Sequence, residues 1–352
     1  MSVAPGTGRH YLLFATERYA GPILQPLQKA IEARGDSLRW WCHGAAAALP
    51  VPRELRVDDA RQAVGFRPDA VFSAANWVPH YLSGCKVQVF HGFNVEKRSD
   101  QRGHFRLRGL FDLYCTQGPA TTGPFRALAA EHGYFSVEET GWPKLDPLFD
   151  GSLPSVEPSA GDRPVILFGS TFTPRLSAAP VLLETLRELV QRGDRYWLLT
   201  LHPKCPSPLV EAYRALAGPH ARFVETEDLM AAQARARVLV ADTSSIVSEF
   251  VAQGRPVVTF RNRAPKPHMI DIDDPALLDA AIDRALAPDP ALRAEIDRYA
   301  QSIHPYRDGR SAERVLRATD LALAGPDTLR SRKPFNLWRS LQIRRDTGYW
   351  AW

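Results

Sequence analysis

The sequence predicts an α/β protein of two doubly wound domains, each a mainly parallel sheet with helices on both faces. Three observations predict it. Short apolar runs alternate with amphipathic stretches along the whole chain. A stretch rich in Gly, Ser and Pro, residues 151–163, interrupts that rhythm, which then restarts. With 352 residues the chain is long enough for two domains, each with its own core.

The elements follow in order. Tyr11 to Ala15 reads as the first strand. Pro22 to Arg34 carries Ile23, Leu24, Leu27, Ala30 and Ile31 at helical spacing, and Gly35 ends it. Strands are expected at Leu38 to Cys42, Asp69 to Ser73, Lys86 to Phe90 and Leu113 to Thr116. A helix at Phe125 to Glu131 and a strand at Phe135 to Thr140 complete the first half. In the second half, strands are expected at Val165 to Phe168, Tyr196 to Leu201, Arg222 to Val224, Val238 to Ala241 and Pro256 to Phe260. Helices are expected at Ala178 to Arg192, Pro208 to Leu216, Leu229 to Ala236 and Ser244 to Gln253. Pro275 to Leu286, Ala291 to Gln301 and Ser311 to Ala324 finish with helices. The expected division is therefore 1–150, a linker at 151–163, a second domain at 164–325 and a tail at 326–352. Two such domains would face a central cleft at the carboxyl ends of their sheets, where open α/β sheets bind ligands.

Composition narrows the functional classes. The chain is 45% hydrophobic and 24% charged, as globular domains are. No run of about 18 apolar residues spans a bilayer. The start, MSVAPGTGRHYLLFAT, lacks the basic and long apolar regions of a secretory signal. Cys42, Cys85, Cys115 and Cys205 are scattered and read as reduced thiols of a cytoplasmic protein. No metal-site spacing is present among Cys and His. Of 44 basic and 39 acidic residues, six and two fall in 326–352, leaving 38 and 37 in the body. The basic pI is thus a property of the tail and predicts no nucleic-acid-binding face. In the tail, Trp338, Tyr349, Trp350 and Trp352 interleave with Arg330, Arg332, Lys333, Arg339, Arg344 and Arg345. That composition suits an anionic membrane surface, at the inner face of the cell membrane, or an ordered arm packed on the body.

The polar residues that follow strands carry the chemistry. Asp242-Thr243-Ser244-Ser245 closes one apolar run and opens another, a strand, turn and helix start. Backbone N–H groups and hydroxyls there suit a phosphate, and the same residue types are good helix caps. Glu249, one turn on, could take ribose hydroxyls. His91-Gly92 follows KVQVF; an imidazole at a strand end can take a proton from a hydroxyl, and Gly92 permits a sharp turn. Gly141-Trp142-Pro143 forms a rigid turn presenting Lys144 and Asp146 towards the cleft. Ser170 and Thr171 follow the first strand of the second half and can approach a phosphate closely. His202 and Lys204 follow LLTL and could bind a pyrophosphate.

Six segments in order resemble the CDP-glycerol glycerophosphotransferases of teichoic-acid synthesis, enzymes of the GT-B architecture. They are FHGFNVEKR at 90–98, TGWPKLDPLF at 140–149, VILFGSTF at 165–172, LTLHPK at 199–204, VLVADTSSIVSEFVAQGRPVVTF at 238–260 and DGRSAERV at 308–315. The resemblance implies an N-terminal acceptor domain, a C-terminal nucleotide-donor domain and a transferase of cell-envelope or capsule polysaccharide synthesis. A hydroxyl of a glycan or lipid-linked acceptor would attack the glycerol-bearing phosphorus of CDP-glycerol, and CMP would leave. His91 would be the base. His202, Ser244 and Ser245 would stabilise the phosphates, and Glu249 stands where the family has an acid. No cofactor and no metal is implied. The chain departs from the family pattern at Thr243, at the longer Glu249 and across GSTFTPR at 169–175. A nucleotide-sugar glycosyltransferase on the same fold is the alternative. A UDP-N-acetylglucosamine 2-epimerase-like enzyme and a non-catalytic scaffold are weaker ones.

Overall fold

A computed structural model describes residues 8–93, 105–154, 160–325 and 331–351. The chain forms two units, Met1–Asp146 with Tyr306–Trp352, and Pro147–Pro305.

Over its described residues the first unit holds seven strands: β1 His10–Ala15, β2 Ser37–Cys42, β3 Arg56–Val57, β4 Ala70–Ser73, β5 Cys85–Gln88, β6 Leu113–Thr116 and β7 Ser136–Glu139. Every pairing is parallel, in the order β3-β2-β1-β4-β5-β6-β7. Parallel strands are covered on both faces, so they read as continuous apolar runs. Tyr11 to Ala15 accordingly has no exposed surface. Helix α1, Ala20–Ala33, buries Ile23, Leu24, Leu27 and Ile31, and Gly35 ends its run at φ 73°. Helices α2, Ala60–Gly65, and α3, Pro119–His132, follow.

The second unit holds β8 Val165–Ser170, β9 Tyr196–Leu201, β10 Ala221–Phe223, β11 Val238–Ala241, β12 Val257–Phe260 and β13 Met269–Ile272. These are also all parallel, in the order β10-β9-β8-β11-β12-β13. Its helices are α4 Ala179–Arg192, α5 Ser207–Arg214, α6 Leu229–Arg235, α7 Ile246–Val251, α8 Leu278–Leu286 and α9 Pro290–Ile303. In each sheet the order runs outward one way from the first strand and then reverses. The reversal lies between β1 and β4 in one unit and between β8 and β11 in the other. Loops leaving the carboxyl ends at such a reversal part to opposite faces and leave a crevice.

The division of the chain differs from the linear one expected. Residues 306–325 belong to the first unit, because α10, Ser311–Ala324, packs on α1, β5 and β6. Arg9 and Arg34 both reach Asp320 on α10, at 2.7 and 3.0 Å. The break falls at 146/147 rather than within 151–163, of which 155–159 lie outside the described residues. The tail is an ordered arm over its described part. It contains α11, Leu337–Thr347, whose Ile343 joins the first unit's core. Among the described residues no helix is long and apolar enough to cross a membrane.

Candidate functional site

The reversal in the second unit is built around Asp242. The residue follows β11, has no exposed surface and faces the loop that leaves β8. Its carboxylate accepts from Ser170 Oγ at 2.6 Å, from the Thr171 N–H at 3.0 Å and from the Ala178 N–H at 3.1 Å. Ser170 Oγ also meets Ser177 Oγ at 3.0 Å and accepts from the Ala179 N–H at 3.2 Å. Burial pushes the Asp242 carboxyl above its usual range, and these donors pull it back. Asp242 and Ser170, expected at a phosphate, are here hydrogen-bonded within the protein. Both side chains are engaged in tying β11 to the β8–α4 loop.

What the loop leaves accessible is smaller. Thr171 and Thr243 are half-buried, and Thr243 Oγ1 accepts from the Arg263 N–H at 3.0 Å. Among the described residues no protein group engages the Ser244 or Ser245 hydroxyl. Helix α7 runs only from Ile246 to Val251, shorter than the expected 244–253, with Ser245 at its N-cap position. So short a helix has a weak dipole, and its end alone is a modest anion site. Glu249 is 8% exposed on this helix. The loop after β12 was missed from sequence. Arg261 takes φ 51°, and Asn262 Nδ2 reaches the Asp242 carbonyl at 3.4 Å. The signal was available: Arg261-Asn262-Arg263 directly follows an apolar strand.

His202 lies at the carboxyl end of β9. Its Nδ1 accepts from the Lys204 N–H at 3.1 Å, so in the neutral ring Nε2 carries the proton and is a donor. The ring lies 4.4 Å from that of Phe172, and Lys204 Nζ is 5.4 Å from the same ring. Partial desolvation, then the Lys204 charge, lowers the His202 pKa. The loops leaving β8 and β9 thus bring Phe172, His202 and Lys204 together.

After β5, the strand next to the first unit's reversal, the sharp turn is made by Phe90, at φ 57°, and Gly92 is absent from the left-handed region. A non-glycine residue holds that conformation only when its surroundings over-determine it. Phe90 is 2% exposed, packs edge-on to Phe125 at 5.1 Å, and its carbonyl accepts from Trp142 Nε1 at 3.3 Å. The turn presents His91. Its Nδ1 lies 3.3 Å from the Ala74 carbonyl, just past β4. A carbonyl cannot donate, so Nδ1 carries the proton and Nε2 keeps its lone pair. Desolvation lowers the His91 pKa, against the Ala74 hydrogen bond, so the ring is neutral at pH 7. Tyr19 covers one side, with ring centres 5.3 Å apart. Gln117, fully buried after β6, donates to the Gly92 carbonyl at 2.9 Å, and among the described residues its Oε1 has no partner. Nothing in the sequence singled out Gln117.

Lys144 sits with Nζ 5.1 Å from the Trp142 ring. Asp146, expected to face a cleft, is engaged within the first unit. It is 3% exposed and accepts from the N–H groups of Ser311 and Ala312, at 2.9 and 2.8 Å. It caps α10 from a distant point of the chain. Burial pushes its carboxyl up to about 6.

No family model matches the chain. A protein of Thermotoga maritima described as a UDP-N-acetylglucosamine 2-epimerase is 28% identical over 98 residues, which cover 27% of this chain and 26% of that relative's length. The structure of a UDP-N-acetylglucosamine 2-epimerase from Listeria monocytogenes superposes with a TM-score of 0.64 at 16% identity, covering 95% of this chain and 99% of the other. The wall teichoic acid polymerase TagF superposes with a TM-score of 0.64 at 15% identity, covering 90% and 89%. At these identities the likeness establishes the fold, and the chain has the GT-B architecture of two parallel-sheet α/β domains.

Proposed function

We propose that the chain is a transferase moving glycerol phosphate from CDP-glycerol, or a related nucleotide-activated polyol, to a hydroxyl of a surface glycan or lipid-linked acceptor. The observation that carries this reading is the state of His91, whose Nδ1 proton is committed to the Ala74 carbonyl while Nε2 remains a base. In the reaction the acceptor oxygen bonds to the glycerol-bearing phosphorus, the bridging P–O bond breaks and CMP leaves. The acceptor proton passes to His91 Nε2. The second unit holds the donor, with His202 Nε2–H and Lys204 on the diphosphate and the Ser244 and Ser245 hydroxyls beside them. Thr171 and Thr243 shape the same loops, Glu249 serves the ribose, and Asp242 and Ser170 position the loops without touching the donor. Phosphoryl transfer asks mostly for such positioning and charge stabilisation. The six ordered motifs and the shared fold of TagF support this donor class.

A second reading, a UDP-sugar 2-epimerase, is favoured by the Thermotoga maritima match. Product analysis separates them. Incubation with CDP-glycerol and an acceptor releases CMP under the first reading. A glycosyltransferase releases a nucleoside diphosphate from a nucleotide sugar, and an epimerase interconverts a UDP-sugar without an acceptor. His91→Ala abolishes CMP release and leaves CDP-glycerol affinity within a few-fold of the parent. Near-normal turnover in that variant removes His91 from the mechanism. UDP-sugar epimerisation without CMP release replaces the first reading by the second.

A further inference from the structure

The C-terminal arm is fixed to the first unit by its basic residues. Lys333 pairs with Asp112 at 2.6 Å and donates to the Leu110 carbonyl at 3.0 Å. Arg339 donates to the Arg108 carbonyl at 2.6 Å, and Asn336 to the same oxygen at 3.0 Å. Arg344 donates to the Ala351 carbonyl at 2.7 Å and lies over the Tyr81 ring, which stacks on Tyr349. Ile343 is 4% exposed, and Thr347, one turn on, accepts from Tyr81 Oη at 2.7 Å. Helical geometry then puts Trp338 and Arg345 together on the face opposite Ile343 and Thr347. Trp338 is 81% exposed and Phe335, just before the helix, 90%. Two large aromatics standing in water on this arm gain nothing for the fold.

The arm borders, at Pro334, Asn336 and Arg339, an open cavity of about 530 Å³ that is also lined by Phe105, Arg108 and Arg332 and, among the described residues, by no acidic one. Arg108 Nε is sealed from solvent and, among the described residues, has no acceptor. Among the described residues neither the Arg108 nor the Arg332 guanidinium meets a protein acceptor. Desolvation, then the charges of Arg339 and Arg106, destabilises the Arg108 cation. A half-buried guanidinium with arginine neighbours and no anion is costly, and a phosphate is the group whose oxygens match its fork.

We propose that this cavity takes the phosphate of an anionic phospholipid headgroup while Phe335 and Trp338 enter the interfacial layer, so that the arm holds the chain on an anionic membrane surface. Aromatic rings prefer that layer, and cationic residues near it add attraction. Because Lys333, Arg339 and Arg344 are committed to the body, the attachment depends less on salt than the tail's charge implies.

Flotation of the full chain with vesicles of phosphatidylcholine, alone or mixed with phosphatidylglycerol, tests this. The chain floats with the mixed vesicles and not with phosphatidylcholine alone. Arg332→Gln lowers the partition roughly fivefold. Phe335→Ser combined with Trp338→Ser lowers it by more than about tenfold. All three positions are exposed, and unchanged melting curves show that the variants fold. Calorimetric titration with inorganic phosphate distinguishes the two sources of the anion, and only weak uptake, in the millimolar range, fits a lipid site. Equal flotation with both vesicle types, variants that float like the parent, or tight phosphate uptake without flotation would each overturn the proposal.

Discussion

Replacing Asp242 by alanine removes the acceptor for three donors at once: Ser170 Oγ–H, the Thr171 N–H and the Ala178 N–H. Each donor left in a buried site costs about 1–3 kcal/mol. Removing the carboxylate also relieves its burial, the dominant cause of its raised pKa, which offsets part of that loss. The net effect on the β8–α4 loop is about 3 kcal/mol, or roughly a hundredfold in the opening equilibrium. Hydrogen exchange reads it directly, because the amides of Thr171 and Ala178 are themselves the donors. In Asp242→Ala their protection falls by roughly a hundredfold, while that of β1 in the other unit is unchanged. Asp242→Asn, which keeps one acceptor oxygen, falls between the two. Protection within threefold of the parent at both amides would refute the view that Asp242 organises this loop. Asp242 would then again be a candidate for direct contact with a donor.

Two further predictions concern titration. If His91 is the base, the acidic limb of kcat/KM reports its deprotonation, and desolvation places that limb below the ordinary histidine value of 6.5. His91→Gln lowers kcat/KM by about 10²–10⁴-fold and flattens the limb; a limb that persists in the variant assigns it elsewhere. For Asp146 the folded-state value, about 6, lies above the ordinary aspartate value of 3.8, so the native state holds the proton more tightly. Its stabilising contribution is complete below about 4 and disappears as pH rises through about 6. Comparing melting temperatures of the parent and Asp146→Asn at pH 4.5 and 7 isolates it: the parent loses more on going to pH 7, and parallel changes would show that Asp146 does not titrate in this range.

Much of the fold was legible because the strands are buried on both faces. Runs such as Val238 to Ala241 and Tyr196 to Leu201 are apolar throughout and bounded by polar turns, so they coincide with β11 and β9. What escaped has definite causes. β3 is two residues long, too short for any pattern. β13, Met269–Ile272, places Asp271 between Ile270 and Ile272 at the sheet edge, where one-sided pairing permits a polar residue. The return of 306–325 to the first unit depends on Asp146 capping α10 and on Arg9 and Arg34 meeting Asp320. Contacts between residues so far apart in sequence leave no local periodicity to read. The left-handed Phe90 escaped for a related reason: a glycine two positions on attracted the turn assignment, while the cause, Trp142 Nε1 on the Phe90 carbonyl, is remote.

At the candidate site, residue type indicated where the chemistry lies but could not say which polar atoms the fold itself consumes. Asp242, Ser170 and Asp146 look as reactive on paper as His91 and His202. The difference appears only when every donor is paired with its acceptor. Both histidines then spend Nδ1 within the chain, but in opposite senses: His91 donates to a carbonyl, while His202 accepts from an amide. One ring is left with a lone pair at Nε2 and the other with a proton there. Removing a proton from an acceptor and supplying one to a phosphate oxygen require those two different states. A fold that fixed both rings in the same tautomer would leave one of the two tasks to another group. Under the proposed transfer, the opposed tautomers would let His91 take a proton and His202 give one.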